Sequence, residues 1–272
     1  MTAPRRLAWL PMAMAAAALL SILAFLYART QNLDEADYFE DVALLRHLKQ
    51  LDAQWELDVL KSKIGINTHY DPLAGSLGEM GRLLETLEAD MGTQTHEEAA
   101  ALTQGRAALL RAIQGKAGLI EQFKSHNAVL RNSLTFLPTA AQDAQQPAGL
   151  PRESAAGVSR LLLASVLYSQ RASAERGAEI QSELGRLEAG MHVLAPDTRE
   201  RLVLFNAHVR TVLREQKIVN ELLGDIASVP TAARIDAIND LLSTRQQRAA
   251  AQNQQYRGYL LIFSAVLVAL LL

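Results

Sequence analysis

Apolar residues recur along most of this chain at intervals of three and four, the spacing of one face of an α-helix. No stretch sustains the two-residue alternation of a half-buried strand. The first helical pattern covers 33–66, with Leu44, Leu48, Leu51 and Trp55 on one stripe at coiled-coil spacing. Asp34 and Asp37 suit the positive end of its dipole, and at 1.5 Å rise per residue the helix is about 50 Å long. Residues 67–72 break it, because the residue before Pro72 is pushed out of the α region. A second helix opens at Pro72 with Asp71 as its cap and continues to about Asp90 through Met80, Leu84 and Leu87. After a polar turn at 92–95, a third covers 97–137 through Leu109, Ile113, Ile120, Phe123, Leu130 and Leu134, and Pro138 stops it. The proline-bearing stretch 142–153 is the best linker. A fourth helix starts near Ser154, with Gly177 as a bend, and ends before Pro196. Asp197-Thr198-Arg199-Glu200 has the capping-box pattern and opens a fifth. Pro230 and Thr231 start the last, which passes Ile235, Ile238 and Leu242.

The two ends depart from this amphipathic pattern. Residues 7–27 form a run of 21 without a charge, long enough for a bilayer core of about 30 Å. Arg5 and Arg6 precede the run and hold residues 1–6 in the cytoplasm by the positive-inside rule. An uncleaved anchor is expected there, since the run exceeds a signal-peptide core of roughly 7–15 residues. Residues 258–272 are 15 uncharged residues, read as the start of a second, truncated membrane helix. Residues 28–257 then face the periplasm or extracellular space from the inner membrane. They hold all 29 acids and 25 of the 27 bases.

Composition narrows the function. The 272-residue chain has net charge -2 and no Cys. The charge excludes the basic excess of a nucleic-acid binder. The missing thiols exclude disulfides, thiolate metal sites and cysteine nucleophiles. With 15 Gly, 8 Pro and 5% aromatic residues, the turn chemistry of a many-stranded β-fold is lacking. The six histidines form no H-x3-H or HExxH pattern, and no phosphate loop, G-x-S-x-G or calcium loop is present. No cofactor, metal site or catalytic residue is expected. The fold class that follows is all-α: an elongated helical bundle of two stacked modules, about 30–141 and 154–255, flanked by two transmembrane helices. A weak echo links the halves, Phe123, His126 and Arg131 against Phe205, His208 and Arg214, with a slip of one residue.

Two stretches, LDAQWELDVLKSKIGINTHYDPL (51–73) and FKSHNAVLRNSLTFLP (123–138), resemble the double all-helical ligand-binding (DAHL) sensor domain of bacterial sensor histidine kinases and related receptors. The Tyr70-Asp71-Pro72-Leu73 corner and the segment 127–134 carry most of the likeness, which extends over about 30–255. The resemblance implies a sensor role and a downstream protein histidine kinase in the full-length receptor, without naming the partner, a small-molecule ligand or a periplasmic binding partner. A parallel homodimer is expected from the paired membrane helices and from what such kinases need. The alternatives are the sensor of a methyl-accepting chemotaxis receptor and a membrane-anchored helical scaffold.

Polar residues on an apolar stripe must be paired or must touch a ligand. Asp58 and Ser62 share the face of Leu44, Leu48, Leu51 and Trp55, while Asn127 and Arg131 share that of Leu109, Ile113, Ile120 and Leu134. They define a candidate pocket in which Arg131 and Asn127 bind an anionic or polar group and Asp58 an amine or hydroxyl. The competing reading is a structural Asp58–Arg131 pair that fixes helix register. Tyr70 and Asp71 are further candidates, although their corner also reads as a helix-reversal device. Ser169 and Ser173 mark a possible second cavity.

Overall fold

The computed structural model describes residues 9–31, 35–89, 96–147 and 150–271. Its elements are α1 (Trp9–Gln31), α2 (Glu35–Lys63), α3 (Asp71–Ala89), α4 (His96–Gln145), α5 (Arg152–Gln170), α6 (Ala174–Ala189), α7 (Pro196–Ser228) and α8 (Thr231–Leu271), with a 3-10 turn at Met191–Val193. Among the described residues there are no strands, as the periodicity predicts. Asp34, the turn at 92–95 and the Arg5–Arg6 pair lie outside the described residues. Membrane spans are expected at 7–27 and 258–272. Among the described residues, no helix is long and apolar enough to cross a membrane, and the first run starts at Leu7 and Ala8, outside them.

By internal packing the chain forms two units, each assembled from distant segments. Unit 1 comprises Met1–Leu51, Met80–Leu109 and Thr231–Leu272. In it α1 packs along α8, and Leu45, Leu48, Leu84, Leu102, Ile235 and Leu242 are buried. A methyl group built on Gly105 of α4 would lie 3.3 Å from Ile238 Cγ1 of α8, so a side chain there would have to displace Ile238. An exposed ion pair, Lys49 Nζ to Asp236 Oδ1 at 2.8 Å, joins α2 to α8.

Unit 2 comprises Asp52–Glu79 and Leu110–Pro230, so the expected linker at 142–153 lies inside it. Its core runs through Leu137, Ala144, Leu161, Ile180, Leu202 and Phe205. Trp55, Ile120, Phe123 and Val219 are equally buried. The Trp55 indole N–H donates to Leu73 O at 2.8 Å and ties α2 to the start of α3.

Several boundaries differ from the sequence expectation. α4 does not stop at Pro138 but continues to Gln145. A mid-helix proline forfeits one backbone hydrogen bond and costs about 3 kcal/mol. Here Pro138 is exposed while Leu137, Ala140, Ala141 and Ala144 are buried, and that packing holds the helix together. The fourth predicted helix is two helices, broken at Arg171–Ser173 and not bent at Gly177. Ser173 adopts extended geometry and its side chain accepts from Arg176 N, a local N-cap. Gly177 lies within α6, its backbone packed near the Tyr168 ring. The capping box at 197–200 does not form. α7 begins at Pro196 after Ala195, with no side-chain cap. Asp197 pairs with Arg201 at 3.2 Å, and Arg199 donates to Met191 O and Leu194 O of the preceding turn.

The buried stripe of α2 is also offset from the expected one. It carries Leu45, Leu48, Asp52, Trp55, Val59 and Ser62, while Leu44 and Leu51 are half-buried. Asp52 is tolerated there because Lys116, fully buried on α4, places Nζ 2.6 Å from Asp52 Oδ1 and 2.6 Å from Glu56 Oε1. Breaking a buried pair from one side leaves a carboxylate unpaired, at about 3–5 kcal/mol. Lys116→Ala is therefore expected to lower stability by about that amount. The double substitution Lys116→Met with Asp52→Leu is expected to recover most of the loss in urea unfolding. Equal destabilisation by both variants contradicts this account.

Candidate functional site

The end of α2 is the starting point for the site. Gly65 takes φ +83°, open to glycine and strained for other residues. Ile66 N and Asn67 N both donate to Lys61 O, at 2.9 and 3.3 Å, and close the helix. Two side chains of α4 hold the corner that follows. Asn127 Nδ2 donates to Ser62 O at 3.2 Å and to Tyr70 Oη at 3.0 Å. Arg131 Nη1 donates to Asn67 O at 3.1 Å.

A cleft of about 640 Å³ opens beside this corner. Its walls come from the end of α2, from Asn127 to Thr135 of α4, from the last turn of α5 and from Gln216 and Asn220 of α7. All four segments belong to unit 2. The volume falls within the range of small-molecule sites, about 300–1,000 Å³. Among the described residues, Asn127 Oδ1 and Ser62 Oγ are buried with no hydrogen-bond partner. Such atoms cost about 1–3 kcal/mol each; Ser165 Oγ, Asn206 Oδ1 and Asn253 Oδ1 are in the same position elsewhere.

Of the six candidate residues, Asn127 and Arg131 line the cleft, while Asp58, Ser62, Tyr70 and Asp71 do not. The Asp58–Arg131 pair does not exist. Asp58 accepts instead from Gln54 Nε2 at 3.0 Å and Lys61 Nζ at 3.2 Å, its own helical neighbours. Ser62 is buried under Asn127, and Tyr70 accepts from it. The Asp71 carboxylate is exposed at the first position of α3, 3.5 Å from His69 Nδ1. Ser169 lines the cleft, whereas Ser173 caps α6 and borders a separate hollow of about 440 Å³ beside Tyr168.

The cleft also contains residues that the sequence reading missed. Lys63, at the end of α2, donates to Gln216 Oε1 of α7 at 3.1 Å. Burial lowers its pKa below the usual lysine value. Gln216 continues to Asn220 Oδ1 at 2.8 Å. No stripe signals these residues, because Lys63, Gln216 and Asn220 meet only through folding.

On α7, Glu215 receives His126 Nδ1 at 2.7 Å and Arg214 Nη2 at 2.8 Å. Burial pushes the Glu215 carboxyl up, but the hydrogen bonds and charges of His126 and Arg214 outweigh it, and the pKa falls below 4.5. The partial echo between the halves is confined to Phe123 and Phe205, both fully buried. His208, the counterpart of His126, stacks on Phe136 at 6.3 Å instead. A carboxyl with a depressed folded pKa contributes stability above its unfolded value, and that contribution is lost as pH falls through the folded value. Glu215→Gln is therefore expected to lower the melting temperature at pH 7, by about 1–3 kcal/mol of stability. The deficit should disappear well below pH 4. A deficit unchanged at pH 3 contradicts the ionic account.

No curated protein and no solved structure matches the chain. The family model described as "DAHL domain" matches residues 33–257, which include α2 to α7 and every residue of the cleft. With that match over most of its length, the chain belongs to the DAHL-domain family of all-helical sensor domains.

Proposed function

We propose that this chain is the extracytoplasmic ligand-sensing region of a bacterial transmembrane receptor whose output is a two-component histidine kinase. The observation that carries the reading is the cleft of about 640 Å³. In a member of a sensor family, four helical segments leave a space walled by polar and apolar side chains where a purely structural bundle would pack side chains. Membrane attachment by 7–27 and 258–272 is part of the proposal, and its support is the absence of charge in both runs with Arg5 and Arg6 before the first.

The coupling follows from helix continuity. Lys63 ends a single helix that starts at Glu35, and Gln216 and Asn220 lie on α7, which leads through Val229 and Pro230 into α8. A ligand that prefers one helix packing can supply only its differential affinity for the two states. Shifts of about 1–2 Å between packed helices suffice for switching. In the proposed receptor, α8 carries such a shift toward the membrane, and a homodimer presents two copies to paired kinase domains.

Two measurements test this reading. A periplasm-dependent reporter enzyme fused near residue 145 is expected to be active, and a cytosol-dependent reporter at the same place silent; the reverse pattern overturns the topology. Sedimentation of the full-length receptor in detergent is expected to give a dimer, and a strictly monomeric profile removes the proposed pairing of kinase domains.

A further inference from the structure

We infer that the cleft of unit 2 is a binding site for a small organic carboxylate, held by Lys63 and Arg131. The inference deepens the sensor reading and rests on it. Both cations line the cleft, and no Asp or Glu does. Neither has a carboxylate partner among the described residues: Lys63 donates to an amide oxygen and Arg131 to a backbone oxygen. Elsewhere in unit 2, two lysines near the core have acidic partners, Lys116 with Asp52 and Glu56, and Lys61 with Asp58. Half-buried Arg176 of α6 donates only to backbone oxygens, Leu167 O and Arg171 O, but it does not line the cleft. In the cleft, two such cations face one space, and burial already disfavours the charged form of Lys63.

Helix ends work against an anion and must be weighed. The C-terminal ends of α2 and α5 border the cleft, and each carries about half a negative charge. Two such poles offset about one of the two full positive charges. Their carbonyls are also engaged, since Lys61 O accepts from Ile66 N and Asn67 N, and Leu167 O from Arg171 N. The balance remains positive and suits a mono- or dianion. Arg131 has spare N–H groups in the fork geometry that fits a carboxylate edge-on.

The remaining walls indicate carbon as well as charge. Ile64, Leu130 and Leu134 supply an apolar side, and Gln170 and Asn220 supply amides. A mineral anion such as phosphate would use the cations and leave those apolar walls and most of the volume unoccupied. A carboxylate on a short carbon skeleton uses both.

Calorimetry on the full chain in detergent, with a panel of C2–C8 mono- and dicarboxylates, inorganic phosphate, and neutral and cationic compounds of similar size, tests the assignment. At least one carboxylate is expected to bind saturably. Lys63→Gln should weaken it about tenfold, with Lys63→Arg largely restoring it. Arg131→Lys, which keeps the charge but loses the fork, should weaken it by a smaller factor. Circular dichroism melting of each variant separates lost binding from lost folding at the Asn67 corner. Phosphate binding without carboxylate binding overturns the assignment, as does undiminished affinity in a folded Lys63→Gln variant. Binding confined to neutral or cationic compounds overturns the carboxylate and leaves the sensor reading standing, whereas no binding by any class removes both.

Discussion

The corner that ends α2 is the constraint on which unit 2 depends. A helix that reached Lys63 and simply continued would close the cleft and carry Tyr70 away from α4. Gly65 stops it by adopting a conformation closed to most residues. The chain is then held from both sides, by the Trp55 indole on Leu73 O and by Asn127 and Arg131 on Ser62, Tyr70 and Asn67. The same residues that wall the cleft thus build the turn beside it. In the proposed sensor, binding and local folding are coupled here through shared side chains.

Charge inside unit 2 is handled in two ways. Lys116 is enclosed and neutralised by two carboxylates, an arrangement that adds little net stability but is costly to break from one side. The pair therefore fixes which face of α2 meets α4. Around the cleft the opposite choice is made, with cations left to amides and backbone oxygens. The contrast within one unit separates a cation neutralised by carboxylates from cations held by neutral oxygens.

Helix content and the break before the last helix at Pro230 were legible in the sequence because periodicity and proline act locally. The first break, expected at 67–72 from Pro72, begins earlier, after Lys63, because Gly65 ends α2. The register of α2 was not. Asp52 sits on its buried stripe, and a reader of apolar residues passes over it to Leu51; only Lys116, 64 residues away, explains the aspartate. Pro138 and the Asp197 capping pattern misled because tertiary packing outweighs a single local preference. At the site, Asn127 and Arg131 were readable as polar intrusions on an apolar face. Lys63, Gln216 and Asn220 were not, since each looks like an ordinary polar position until α2 and α7 are brought together.

Pro138 has one more effect. Lacking an N–H, it cannot donate to the carbonyl four residues before it, at Leu134. Leu134 and Thr135 line the cleft, so the rung that Pro138 removes from the ladder of α4 falls beside the cleft. A rod with a missing rung bends most readily at that point. The soft spot of this 50-residue helix is thereby built into the wall that an occupant would press against.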